Sequence, residues 1–230
     1  MMLMTTEIQR IVFSESMKIA DLIDVNFKLL NVLSRLDISL GFGENTILEV
    51  CERQGIDLKS FLLICNVYTY DGYIPSVELM SGADPATIVD YLHNSHSFYL
   101  LKEFTALEEE LKAMVEPCDA TQKKVVARFF SDYKAQVENH FEYEESVVFP
   151  YIRALMAGQR YASYSIEQFE ENHSNIDETL NDLKNIVMKY LPDTCDTVLR
   201  NQVLYRIYRL GEDLLKHTLI EDNILIPMVN

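Results

Sequence analysis

Two stretches of this chain carry the same pair of potential ligands at the same spacing. His140 is followed by Glu144, and His217 by Glu221. Positions i and i+4 lie on one face of a helix, so each pair presents an imidazole and a carboxylate side by side. The likeness runs further. His140-Phe-Glu-Tyr-Glu-Glu-Ser-Val-Val-Phe-Pro150 and His217-Thr-Leu-Ile-Glu-Asp-Asn-Ile-Leu-Ile-Pro227 share the histidine, the glutamate, the following acid, an apolar pair and the proline. Two equivalent helices offering the same ligand pair is what a two-metal site needs. Mixed imidazole and carboxylate donors suit iron, manganese or zinc rather than calcium or magnesium. A structural zinc site would favour cysteine thiolates.

Helices must position these residues, and the apolar pattern supplies them. Val126, Phe130, Tyr133, Val137, His140, Glu144 and Val147 step by alternating fours and threes, as do Val203, Ile207, Leu210, Leu214, His217, Glu221 and Ile224. Ile166, Phe169, His173, Ile176, Leu180, Leu183 and Val187 form a third such seam, and Val89, His93, His96, Leu100, Phe104, Leu107 and Leu111 a fourth. Breakers at 116–119, around 157–159 and at 191–193 separate four long segments, and no stretch alternates with period two. The pattern predicts an all-α protein whose core is an antiparallel up-down four-helix bundle. Asp84 and Pro85 read as the N-cap and first residue of the first arm. Residues 83–230 are therefore assigned to the bundle. Residues 1–82, with helical pieces at about 17–35, 44–54 and 57–67, are assigned to a small helical accessory domain; residues 1–14 read as either frayed or an extra helix.

The five histidines gain meaning from their heights. Residues in antiparallel neighbours face each other when equidistant from the turn. The midpoints of His93/His140, His140/His173 and His173/His217 fall on Pro117, beside Gly158 and just after Pro192, offsets small enough for one layer to hold four imidazoles. A glutamate in that layer would be a costly unpaired core carboxylate unless a cation meets it. The ligand set read from spacing is thus His93, His140, His173, His217, Glu144 and Glu221, with open positions for a small ligand. His96, one turn from His93, can replace it, join it, or sit behind it; His93 fits the turn symmetry better. Glu145 and Asp222 fall off the seams.

A formal charge of −16, from 20 Lys+Arg against 36 Asp+Glu, disfavours nucleic acid and anionic membrane surfaces as partners. No apolar run reaches the ~18 residues of a membrane span, and the N-terminus does not read as a signal peptide. Cys51, Cys65, Cys118 and Cys195 form no C-x-x-C pair and read as reduced thiols. P-loop, G-x-S-x-G and dinucleotide fingerprints are absent.

Residues 86–230 resemble hemerythrin-like domains, through His93-Asn-Ser-His96, His140-x-x-x-Glu144 with Phe149-Pro150, Glu-Asn-His173, and His217-x-x-x-Glu221 with Ile226-Pro227. The front part, in Leu36-Asp-Ile-Ser-Leu-Gly-Phe-Gly43 and Thr46-Ile-Leu-Glu-Val-Cys51, is similar to the N-terminal domain of di-iron proteins that repair iron centres. The resemblance implies two non-haem iron ions with Glu144 and Glu221 as bridges, a cytoplasmic location, and a role in recovery of iron–sulfur clusters after nitrosative or oxidative stress. Oxygen, nitric oxide or peroxide would be the small ligand and damaged iron–sulfur proteins the partners. That family's N-terminal domain carries adjacent cysteines where this chain has Gly41-Phe42, which leaves a docking or homodimer surface as that domain's expected role. It also gives weight to a second reading, a sensor or store for oxygen, nitric oxide or iron without turnover.

Overall fold

Asp84 caps the first arm by accepting from the Ala86 amide, and Pro85 occupies the first turn. In the computed structural model, which describes residues 13–159 and 176–229, that arm runs through α6 (Pro85–Phe98), a π-helical turn at Tyr99–Glu103, and α7 (Phe104–Met114). The second arm is α8 (Ala120–Tyr143), a π turn at Glu144–Val148, and α9 (Phe149–Met156). The third comprises α10 (Ile176–Asn185) and a π turn at Ile186–Tyr190. The fourth is α11 (Thr197–Ile220), a π turn at Glu221–Leu225, and α12 (Ile226–Val229). Asp119 forms a reciprocal capping box with Gln122, and Asp196 accepts from the Leu199 amide, so α8 and α11 both start at a Cys-Asp pair. Such caps satisfy amides that have no partner within the helix.

The packed pairs α7–α8, α8–α10, α10–α11 and α11–α7 close a ring of four, with α8 and α11 on the diagonal. This is the all-α bundle that the periodicity predicts. The expected seams are buried along α8 (Val126, Phe130, Tyr133, Val137) and α11 (Val203, Ile207, Leu210, Leu214). Leu180, Leu183 and Val187 do the same for the third arm.

The first arm differs from expectation. Its buried face runs Phe104, Tyr99, His96, Leu92, Val89, and not through Leu100 and His93. The π turn accommodates one more residue than an α turn, so the inward register slips by one position above it. His93 is thereby rotated outward and His96 inward.

The N-terminal helices are α1 (Ile19–Val25), α2 (Leu29–Arg35), α3 (Ile47–Gln54), α4 (Leu58–Thr69) and α5 (Val77–Met80). The helix expected over 17–35 is broken at Asn26, whose side-chain oxygen accepts from the Lys28 amide in a local turn. A Thr46/Glu49 capping box opens α3. Gly41 and Gly43, both at positive φ, make the tight connection before it, which side chains with a Cβ resist.

The apolar residues form two clusters. One fills the bundle between α7, α8, α10 and α11. The other joins the N-terminal helices to Leu92, Val148, Phe149, Ile152, Ile220 and Ile224. The assigned boundary at residue 82 is therefore crossed by a continuous core. A buried ion pair pins the junction: the Arg35 guanidinium binds both oxygens of Asp213 on α11. Tyr68 donates to Asp213 at 2.5 Å, Arg35 donates to the Tyr91 hydroxyl at 3.1 Å, and Asn94 donates to the Arg35 carbonyl at 2.7 Å.

Candidate metal centre

Between the two apolar clusters lies a polar layer. His96 from α6, Glu144 from the second arm, and His217 and Glu221 from the fourth are all buried, and one donor atom of each lies within 4.8 Å of the others. His96 Nε2 is 3.0 Å from Glu144 Oε2 and 3.1 Å from His217 Nε2. His217 Nε2 is 3.3 Å from Glu221 Oε1. His140, one turn before Glu144, places its Nε2 2.9 Å from Glu144 Oε1.

Of the residues read from spacing, Glu144, His217 and Glu221 come together, and His140 adjoins them. His93 is not brought to the layer. Its side chain is 54% exposed, with Nδ1 donating to Glu145 at 2.9 Å. His96 takes its place, for the register reason given above. His173 lies outside the described residues. Glu145, off the seam as expected, has a role that spacing alone does not reveal. It accepts from His96 Nδ1 at 2.7 Å as well as from His93. With that hydrogen engaged, the neutral His96 ring carries its lone pair on Nε2, facing inward.

The layer fits a cation. Burial first, and then the nearby Glu221 charge, push the Glu144 carboxyl up to about 8. A group so buried beside a second carboxylate favours its neutral form unless a positive charge meets it. Both Glu144 oxygens are buried and neither takes a well-directed hydrogen bond, although imidazole nitrogens stand close to each. Close approach without alignment is the pattern of lone pairs converging on a common point. Metal–ligand bonds of about 2.0–2.2 Å place neighbouring donors roughly 3 Å apart, which matches the separations here. Aromatic rings wall the site: His96 is stacked on Phe141 at 4.0 Å and on Phe149 at 5.5 Å, and Tyr99 sits edge-on to His217 at 5.9 Å. Among the described residues, each arm that contributes to the layer has a π turn at or close to its ligand, a common local device at functional sites.

The sequence model of the hemerythrin HHE cation-binding domain matches residues 87–229. The chain belongs to the hemerythrin HHE family. The match takes in every residue of the buried layer. No curated protein matches the chain. Hemerythrin HHE domains bind metal ions, typically iron, and the layer offers a group of His and Glu donors that could hold one. Among the described residues no helix is long and apolar enough to cross a membrane.

The arrangement makes Glu145 a positioning residue. Glu145→Gln should weaken iron binding about 10–100-fold in competition with a chelator, while His93→Ala should leave it within a few-fold. His96→Ala should abolish binding at the same chelator concentrations. Equal losses for His93→Ala and His96→Ala would contradict the register described here.

Proposed function

We propose that this hemerythrin HHE protein holds two iron ions and serves the recovery of iron–sulfur clusters from nitrosative or oxidative stress. The observation that carries the di-iron part is the pair of buried glutamates, Glu144 and Glu221, converging with His96 and His217 in one closed layer. In this reading Glu144 and Glu221 would be the carboxylates that hold the ions. His96, His140 and His217 would hold them from the imidazole side, with His173 added from the sequence pattern alone. The irons would supply binding and one-electron chemistry toward nitric oxide, oxygen or peroxide. The chain's own residues do the rest: Glu145 holds the His96 ring, Phe141 and Phe149 stack on it and Tyr99 packs edge-on to His217, and both carboxylates are fully buried.

The repair role is supported by the N-terminal segment Leu36–Gly43 and Thr46–Cys51, which is similar to the front domain of iron-centre repair proteins; its apolar residues join the cluster through which α2 and α4 pack on α6 and α11. Damaged iron–sulfur proteins are the proposed partners. A second reading, a sensor or store of oxygen, nitric oxide or iron, is favoured by one observation: Gly41 and Phe42 stand where those repair proteins have adjacent cysteines. Iron-grown protein should contain two irons per chain, with a coupled di-ferric optical and spin-resonance signature. One iron or none would overturn the di-iron reading. Turnover of nitric oxide or peroxide by the reduced protein, above that of free iron, supports the first role; reversible binding without turnover supports the second.

A further inference from the structure

The repeat that pairs His140 with His217 and Glu144 with Glu221 extends well beyond the ligands. At the same offset of 77 residues, Cys118-Asp119 corresponds to Cys195-Asp196. Each Cys precedes the capping aspartate of its helix. These equivalent cysteines come from the opposite end of α8 and α11, yet they meet. Their Sγ atoms are 2.7 Å apart and both residues are buried. The two diagonal helices thus approach each other through like residues twice, at Glu144/Glu221 and at Cys118/Cys195.

We propose that Cys118 and Cys195 form a reversible disulfide that staples the N-termini of α8 and α11 together. A covalent S–S bond is about 2.05 Å long, so only a small closure separates the thiols from the bonded state. With hydrogen peroxide as oxidant, one sulfur attacks a peroxide oxygen. An S–O bond forms, the O–O bond breaks, and water leaves with the thiol proton. The second thiol then displaces the sulfenic oxygen as a second water, and the S–S bond closes. Two electrons pass from the two sulfurs to the peroxide. A small disulfide such as oxidised glutathione can accept the same two electrons by exchange.

The surroundings make this a slow, conditional step. Burial, followed by the contact with Cys195, pushes the Cys118 thiol up to about 11. Little thiolate is present at neutral pH, and attack depends on that form. The pair therefore stays reduced at low oxidant and closes on sustained exposure. Cys51 and Cys65 lie apart from it, in the cluster with the N-terminal helices. The proposal does not depend on the metal reading.

The test starts from fully reduced protein exposed to excess hydrogen peroxide or oxidised glutathione, then denatured and alkylated with N-ethylmaleimide. Two adducts per chain are expected instead of four. Proteolysis should yield a cross-linked fragment joining the peptides of Cys118 and Cys195, lost on reduction. Cys118→Ser and Cys195→Ser should each retain three adducts after the same exposure. A loop of this length should raise the melting temperature of the oxidised protein by about 5–10 °C over the reduced form. Four adducts after oxidation, a lasting glutathione adduct on either cysteine, or a cross-link joining other cysteines overturns the proposal.

Discussion

Replacing Glu144 by glutamine should stabilise the metal-stripped protein and weaken the iron-loaded one. Without a cation, the wild-type carboxyl is held up near 8 by burial and by Glu221, against an unfolded value near 4.5. The sign follows from linkage. Below the unfolded value the group is protonated in both states and costs nothing. As pH rises towards 8 the unfolded chain releases its proton while the folded one retains it, so stability falls across that window and stays low above it. At neutral pH the loss is on the order of 3 kcal/mol. Glutamine keeps the shape and removes the titration, so its chelator-treated urea midpoint should exceed wild type at pH 7.5 and converge with it near pH 4.5. Iron reverses the order. A ligand present at 1,000 times its dissociation constant adds about 4.1 kcal/mol to the folded state, which exceeds the loss from the buried carboxyl, and the variant forfeits that. Metal-stripped Glu144→Gln protein no more stable than wild type at pH 7.5 would show that the buried carboxylates are not in conflict.

Removing the Arg35 side chain should be the most damaging single change outside the metal layer. Arg35 and Asp213 are both buried, and Tyr68 and Tyr91 complete their hydrogen bonding. Arg35→Met leaves Asp213 as an uncompensated buried charge, a loss of about 3–5 kcal/mol. The double variant Arg35→Met/Asp213→Leu replaces the pair by apolar groups and should recover most of it, since exchanging a whole buried pair is often near neutral. Urea unfolding of the four proteins in a double-mutant cycle gives the coupling directly. A double variant as unstable as the sum of the singles would mean that the residues act independently.

The bundle was legible because its information is periodic. The seams of α8 and α11 can be counted from the sequence, and the two His-x-x-x-Glu units repeat so closely that their shared layer follows from turn symmetry. The choice between His93 and His96 was not legible, for a local reason. Both lie on an ideal α-helical face drawn up from Phe104, and only the π turn at Tyr99–Glu103 decides which one turns inward. Nothing in those five residues announces a π turn. The one available hint was Glu145, an acid off the seam beside a ligand, which is where a carboxylate would stand to orient a neighbouring imidazole. The break at Asn26 and the continuity of the core across residue 82 were equally hidden. The first depends on one side chain bonding its own backbone; the second depends on tertiary packing of segments that read as separate units.

That continuity has a thermodynamic consequence. Leu92, Val148, Ile220 and Ile224 lie within one helical turn of a ligand along the chain and also in the core shared with the N-terminal helices. A cation that tightens the ligand layer should, if that shared core couples the two, strengthen the seating of α1–α5, and loosening α1–α5 should then weaken the cation by the same factor. This reciprocity is required of coupled equilibria. A protein that grips the N-terminal helices would be, in energetic terms, an effector of the iron, with no contact to it.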